Sequence, residues 1–154
     1  TIHSDLEEFI KKVKELGYKV KLDSNGSRPE VLRKLIENQL IDYVAMDIKA
    51  PLEKYHLFTN GQDFRQQISD SINLLKEGKV DYEFRTTLAP DILTEEDIFK
   101  IVELIKGAPK YFLQRFKGIK TLDPSFSRKK PWLEEKMREL VAKIKPLFSE
   151  CELR

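Results

Sequence analysis

Residues 43–51 of this chain are Tyr43-Val44-Ala45-Met46-Asp47-Ile48-Lys49-Ala50-Pro51. A mainly apolar run reaches a carboxylate and then breaks at a proline, which predicts a strand followed by a loop. The earlier run Lys21-Leu22-Asp23-Ser24-Asn25-Gly26 has the same form and breaks at a glycine. Parallel α/β folds place their chemistry at the carboxyl ends of consecutive strands. These two strand ends are therefore the candidate site.

Outward from these two runs, the pattern alternates between helix and strand along the whole chain. The predicted strands span residues 18–23, 43–48, 81–87, 110–116 and 147–153. The predicted helices span residues 6–16, 29–38, 63–76 and 131–143, and another opens at Thr94 and ends before Gly107. The first helix is expected to begin with a capping box, Ser4-Asp5-Leu6-Glu7. Its expected apolar stripe is Leu6, Phe9, Ile10, Val13 and Leu16. No linker interrupts the pattern, so we expect a single domain over residues 1–154.

The strands differ in polarity between their two faces. Repeated strand–helix units imply parallel strands with right-handed crossovers, in either a doubly wound sheet or part of a (β/α) barrel. In three successive predicted strands one face is markedly polar, and it carries Asp23, Asp47, Lys49 and Arg85. A doubly wound sheet is buried on both faces, and a closed eight-stranded barrel fills its interior with Val, Ile and Leu. We therefore predict an α/β fold, an open partial (β/α) barrel of parallel strands with outer helices and a polar concave surface.

Composition argues against several classes of protein. Charged residues make up 35% of the chain, but the two signs nearly cancel and leave a net charge of +2. This balance argues against nucleic acid or a membrane as a partner. Cys151 is the single cysteine, which predicts no disulfide framework and no intrachain cysteine metal cluster, and we expect it to be a small buried side chain. With no apolar stretch of transmembrane length and no signal-peptide pattern, the expectation is a soluble cytoplasmic protein.

Several strings, in this order and spacing, resemble a known enzyme family. They are Leu22-Asp23-Ser24-Asn25-Gly26-Ser27-Arg28-Pro29, the run from Asp42 to Pro51, Phe112-Leu113-Gln114-Arg115-Phe116 and Leu122-Asp123-Pro124-Ser125-Phe126. Over nearly its whole length the chain resembles the glycyl-radical-enzyme activating branch of the radical S-adenosylmethionine (SAM) superfamily. It is most similar to anaerobic ribonucleoside-triphosphate reductase activating proteins, and pyruvate formate-lyase activating enzymes are more distant relatives. The family usually has Thr where Ser24 stands.

The resemblance implies an activity and two cofactors. An enzyme of this family reduces SAM at a [4Fe-4S] cluster and uses a 5′-deoxyadenosyl radical to abstract hydrogen from a glycine of its protein partner, a glycyl radical enzyme. The family binds the cluster through a CxxxCxxC loop, which these 154 residues do not contain. In the family, a Gly-Gly-Glu-Pro motif precedes a segment similar to Thr1-Ile2-His3-Ser4-Asp5-Leu6. We therefore expect the chain to be the C-terminal part of an activating enzyme, without iron–sulfur ligands or catalytic residues of its own and inactive alone.

The resemblance also implies roles for the residues at the first two strand ends. It places Asp23 and Asp47, with the Ser24 region, around a monovalent cation beside the SAM carboxylate. Oxygen ligands of this kind suit a hard cation. Asn25 belongs to the same loop and joins the expected cofactor-binding set.

Three further residues complete that set. The resemblance places Lys49 toward SAM, where its ammonium can pair with the SAM carboxylate. Arg85, on the polar face of the third strand, is expected either to do the same or to hold a nearby carboxylate. Gln114 is a candidate for a further ligand contact.

Structural interpretations of the same residues stay open beside these roles. Asp47 and Lys49 are two positions apart on one strand and share a face, so a local ion pair between them is geometrically easy. Asp23, together with Asn25 and Gly26, favours an Asx-turn or a loop that leads into a helix. Such a turn and a ligand-binding role are compatible.

Two other classes of protein fit part of the pattern. Residues 42–51 also resemble the phosphorylated-Asp strand of a receiver domain, a signalling switch. A receiver needs an acidic pair at an earlier strand end, whereas Asp23 stands alone, and its Lys-Pro pair comes earlier than Lys145-Pro146 does here. An aldolase-like barrel would use Lys49 as a Schiff-base nucleophile, which requires a lowered lysine pKa. The neighbouring carboxylate of Asp47 works against that lowering.

Use of the chain as a binding-only module is a further alternative. If the predicted strand 18–23 lies at the edge of the sheet, its unpaired backbone groups can pair with another chain. We expect dimerisation through that edge, and a monodisperse monomer would count against it.

Overall fold

The computed structural model describes residues 5–119 and 124–154. Its centre is one sheet of five parallel strands: β1 (Lys21–Ser24), β2 (Tyr43–Asp47), β3 (Asp81–Thr87), β4 (Lys110–Gln114) and β5 (Glu150–Leu153). The strands lie side by side in chain order. In a doubly wound sheet this order reverses at one point. Because it does not reverse here, crossovers of one hand keep the helices on one face, and the predicted open partial barrel is confirmed.

Five α-helices connect or flank the strands. They are α1 (Leu6–Glu15), α2 (Pro29–Glu37), α3 (Arg65–Lys76), α4 (Glu95–Leu104) and α5 (Glu134–Ile144). Short 3₁₀ segments occupy Leu52–Phe58, Pro124–Arg128 and Lys145–Leu147. No helix in the described parts of the chain is long and apolar enough to span a membrane.

The core lies between the helices and one face of the sheet. That face contributes Val44, Met46, Ile48, Phe84 and Leu113, all fully buried. The α4 stripe predicted from the sequence packs against it, with Ile98, Ile101, Val102 and Ile105 buried. Cys151 is also buried there, as expected for a small apolar side chain, and burial raises the pKa of its thiol to about 11. The opposite face of the sheet carries the polar side chains.

Several boundaries differ from the predictions. β1 begins at Lys21 rather than residue 18, because Val20 bonds instead to Asp42, whose carboxylate accepts the Val20 N–H at 2.6 Å. β4 ends at Gln114 rather than residue 116. The last helix begins at Glu134 rather than Pro131, since the backbone of Leu133 is extended. The 3₁₀ turn Lys145–Leu147 delays β5 to Glu150.

The first helix is the least buried. Ile10 is buried, but the stripe residues Phe9 and Leu16 are 63% and 74% exposed, so the described elements cover only part of the predicted stripe. Gly17 ends the helix as expected, with a φ of +83°. The capping box predicted on Ser4 lies outside the described residues, and the helix that is described has Asp5 at its N-cap.

Candidate functional site

The polar face brings three of the predicted site residues into contact. The sheet register sets Asp47 of β2 directly opposite Arg85 of β3. The guanidinium donates from Nε to Oδ1 of Asp47 at 2.9 Å, and its Nη2 lies 2.9 Å from the same oxygen in an ion pair. Its Nη1 lies 3.5 Å from Oδ1 of Asp23. Arg85 therefore holds two nearby carboxylates, which is the second of the two roles expected for it.

Lys49 is placed differently from the structural interpretation. The ion pair between Asp47 and Lys49 that this interpretation offered is not formed, because Asp47 is engaged by Arg85. The Lys49 backbone N–H donates to the Tyr55 hydroxyl at 3.2 Å, which fixes the chain just beyond β2. No ion pair found among residues 5–119 and 124–154 involves the Lys49 ammonium.

The Lys49 side chain lines a cavity of about 310 Å³. The loop after β1 forms one wall of the cavity through Asn25 and Ser27. The opposite wall is the connection between β2 and α3, which contributes the aromatic rings of Phe58 and Phe64. A free ammonium beside amide, hydroxyl and aromatic groups can hold an anionic group attached to an apolar or planar body.

The loop after β1 is held by its own side chains. Ser24 is buried, and its Oγ accepts the N–H of Gly26 at 3.1 Å. Asn25 Oδ1 accepts from Ser27 N and Ser27 Oγ at 3.1 and 2.8 Å. The Asx-turn expected on Asp23 therefore forms on Asn25 instead, which leaves the Asp23 carboxylate to Arg85.

Gln114 lies at the same edge of the sheet but apart from these contacts. It ends β4, and its Oε1 accepts the Thr87 hydroxyl of β3 at 3.3 Å. The sheet register pairs these two residues. Gln114 is half-buried and extends the polar edge by one strand beyond Arg85.

The polar face also holds a buried carboxylate that is not among the site residues predicted from the sequence. Glu83 is only 3% exposed, and it accepts from the Tyr43 hydroxyl at 3.0 Å and from Arg154 Nη1 at 3.1 Å. Burial and the hydrogen bond to Glu83 raise the pKa of Tyr43 to about 12. Arg154 also covers the ring of Phe112, 3.3 Å from its centroid. Tyr43 and Glu83 lie in the amino-terminal halves of β2 and β3, whereas Asp47 and Arg85 lie nearer the carboxyl ends of the same strands.

A signal for Glu83 was present in the sequence. It stands two positions before Arg85, so it shares the polar face of β3. Its partner Arg154 lies 71 positions away along the chain, and spacing alone could not supply that contact.

The described residues were also compared with the grouping of side chains that a metal ion needs. Residues 5–119 and 124–154 hold no group of three or more His, Cys, Asp or Glu residues placed to bind a metal ion. Between Asp23 and Asp47, where a monovalent cation was expected, the positive charge comes from the Arg85 guanidinium.

The sequence is similar to known proteins over most of its length. Residues 1–106 match the sequence profile of the Radical SAM superfamily. A protein of Methanocaldococcus jannaschii assigned by inference as a glycyl-radical enzyme activating enzyme is 38% identical over 137 residues, which cover 86% of this chain and 57% of that protein. The S-adenosyl-L-methionine-dependent tRNA 4-demethylwyosine synthase of the same organism is 30% identical over 115 residues, which cover 74% of this chain and 35% of that enzyme. The chain thus spans little more than half, or less, of each relative.

A solved structure shares the fold. The crystal structure of a domain of pyruvate-formate lyase-activating enzyme from Bacteroides vulgatus matches with a TM-score of 0.75, over 97% of this chain and 89% of that domain. The sequences are 15% identical, so this likeness concerns the fold alone.

Proposed function

This chain belongs to the radical SAM superfamily, and we propose that it forms part of an activating enzyme that generates a glycyl radical on a partner protein. The observation that carries the proposal is the charge arrangement at the strand ends. There Arg85 holds Asp23 and Asp47, while Lys49 lines a cavity and its ammonium forms no ion pair with a carboxylate of the described residues. The relative assigned as an activating enzyme supports the choice of reaction.

The residues present fit SAM by their chemistry. The methionine part of SAM carries one carboxylate and one ammonium, so its site needs groups of both signs, and this edge of the sheet has both. We assign Lys49 to the SAM carboxylate, and Asp23, Ser24, Asn25, Arg85 and Gln114 to the surrounding wall with Asp47. Bound at a reduced [4Fe-4S] cluster, SAM would supply the 5′-deoxyadenosyl radical that takes a hydrogen atom from the partner's glycine. The residues of this chain would bind and orient SAM.

The cluster itself needs ligands other than those of this chain. A cluster of this family takes three cysteines, and the sequence has one, Cys151, buried under α5 and unsuited to ligation. We propose that the chain supplies part of the SAM pocket and of the surface that meets the partner, and that it is inactive alone. Intact-mass and iron analysis of the protein purified anaerobically from its native source tests this. A larger mass with iron and sulfide supports the proposal, whereas a matching mass without iron replaces it with the binding-only alternative.

SAM binding tests the assignment of Lys49 directly. In equilibrium dialysis with radiolabelled SAM, Lys49→Met should weaken binding about tenfold or more, because a charge-assisted hydrogen bond contributes about 1.5–3 kcal/mol. Lys49→Arg should retain most of the affinity. Lys79→Met is the matched control, since Lys79 pairs with Glu77 away from the strand ends. Equal affinity of Lys49→Met and the unmodified chain would contradict the assignment.

Two alternatives, the receiver domain and the aldolase-like barrel, lose their support. A receiver domain has a doubly wound sheet, whereas these strands follow chain order. In addition, Asp47, the residue that would be phosphorylated, is engaged by Arg85. Membership of the radical SAM superfamily also replaces the aldolase interpretation of Lys49.

A further inference from the structure

We propose that the Arg85 guanidinium is a built-in cation that takes the place of a monovalent metal ion between Asp23 and Asp47, so that the site needs neither Na⁺ nor K⁺. The inference deepens the proposed function and rests on it for the identity of the ligand. Its structural part, the replacement of a metal ion by a side chain, concerns residues of this chain alone.

The Arg85 guanidinium has the geometry to contact both carboxylates at once. Arg85 reaches Asp47 with two nitrogens at 2.9 Å and Asp23 with a third at 3.5 Å. A guanidinium has five N–H donors in a rigid fork, and the hydrogen bonds to Asp47 and Asp23 use one on Nε and one on Nη1. The remaining N–H groups can donate to another acceptor at the strand ends, such as the carboxylate of a ligand. A guanidinium is therefore able to link two protein carboxylates to a third, as a metal ion would.

The Arg85 side chain is more deeply buried than the Asp23 carboxylate that it contacts. The Arg85 side chain is 13% exposed, whereas Asp23 is 64% exposed. A guanidinium buried to this degree is held in place by its partners, because an unpaired charge there would be costly. Asp47 accepts the closer contacts and fixes the position of the charge. Asp23 remains accessible from solvent, so ligand and protein can share it.

The two lysines nearest to these carboxylates, Lys21 and Lys49, do not pair with Asp47. Lys21 lies 4.0 Å from Asp23 but also 3.8 Å from the buried Glu83, which draws it toward the amino-terminal half of the face. Lys49 stands two positions after Asp47, and no ion pair joins them. Arg85 is thus the cation that neutralises Asp47 within the described residues, and Lys49 stays available for an anion.

Thermal unfolding in different salts tests the inference without any ligand. We compare NaCl, KCl and choline chloride at the same concentration, since choline is too large for a carboxylate-lined ion site. The unmodified chain should unfold at the same temperature in all three. Arg85→Met leaves Asp23 and Asp47 without their cation, so its midpoint should fall. It should then recover by about 2–4 °C in NaCl or KCl relative to choline chloride.

Two further variants separate ion binding from general salt effects. The double variant Asp47→Asn, Arg85→Met should lose the recovery, because one of the two carboxylates is gone. Arg138→Met removes an exposed guanidinium that pairs with Glu134 on α5, and it should show no preference among the salts. A higher midpoint of the unmodified chain in NaCl or KCl would overturn the inference. So would an Arg85→Met variant that responds equally to all three salts.

Dialysis with SAM in the same salts distinguishes the two proposals. The unmodified chain should bind SAM equally well in KCl and in choline chloride, and a several-fold loss in choline chloride would contradict the built-in cation. If no SAM binds in any salt, the proposed function fails, and the unfolding data still decide whether Arg85 replaces a metal ion.

Discussion

At the scale of single residues, Gly26 has the strictest requirement. Its φ of +73° lies in the left-handed region, which favours glycine. A Cβ built on Gly26 would lie 2.1 Å from Cε of Met46 and 3.1 Å from Cδ1 of Ile68. The Gly26 carbonyl also accepts the buried hydroxyl of Ser71 at 2.8 Å. The loop that carries Asn25 therefore packs directly on the core, and a side chain at Gly26 would push the loop away from Met46 and Ile68.

Gly26→Ala should destabilise the protein more than Gly78→Ala. Both glycines have nearly the same φ, +73° and +72°, but nothing lies within 4 Å of a Cβ built on Gly78. Each variant incurs the backbone cost of about 1 kcal/mol, and the clash at Gly26 should add about 1–3 kcal/mol. Urea unfolding of the two variants measures the difference. Equal losses of stability would show that the loop moves aside without cost.

At the scale of elements, an ion pair joins the connection after β2 to α4. Asp97 is 2% exposed and accepts from Lys54 Nζ at 2.7 Å and from Thr94 N at 2.8 Å. The Thr94 hydroxyl in turn accepts the N–H of Asp97, so the predicted start of α4 forms a capping box. Burial raises the pKa of Asp97, but the hydrogen bonds from Lys54 and Thr94 together lower this pKa by more than burial raises it. The pKa of Asp97 therefore lies below its ordinary value of 3.8.

This pair makes stability depend on acid in a defined direction. Because the folded-state pKa is lowered, the contribution of Asp97 is fully present above pH 3.8 and is lost as the pH falls through the folded-state pKa. Asp97→Asn should lose about 1–3 kcal/mol at pH 7, and its deficit against the unmodified chain should narrow toward about pH 3. Urea unfolding across this range measures the deficit, with Asp70→Asn as the control, since the Asp70 carboxylate accepts from Gln66 of the same helix rather than from another element. A deficit that stays constant with pH would contradict the account.

Periodicity was sufficient for the order and type of the main elements. β3 was predicted with its observed bounds, and the buried α4 stripe follows the helical spacing. The failures have local causes. The 3₁₀ segment Leu52–Phe58 has no periodic signal, and Phe9 has the spacing of a core residue although no described element covers it. In the site, strand alternation placed Asp47 and Arg85 on one face, but their contact depends on register, which a single sequence does not fix.

At the scale of the whole molecule, one edge of the sheet lacks cover. In the described parts of the chain β1 pairs only with β2, and Phe9, Leu16 and Tyr18, in α1 and the segment that leads into β1, are exposed. An unpaired strand edge next to exposed apolar groups is a surface for association. The proposed ligand site lies at a different border of the sheet, where the carboxyl ends of the strands meet the polar face.

We expect the isolated chain to self-associate through the β1 edge. Sedimentation analysis over a range of concentrations should show a dimer, because pairing would bury both the strand edge and the apolar side chains. Leu16→Lys should shift the chain to the monomer. Leu147→Lys, at an exposed leucine following α5, should leave association unchanged. A monomer at every concentration would contradict this expectation.

A titration of the ¹⁵N-labelled chain with SAM, followed by NMR, tests directly whether the strand ends form part of a SAM pocket. We expect the amide shifts to concentrate in the loop after β1, in residues 47–50 and at the end of β3, and we expect Lys49→Met to reduce them. Unchanged spectra at saturating SAM, or shifts confined to the helical side of the sheet, would contradict it.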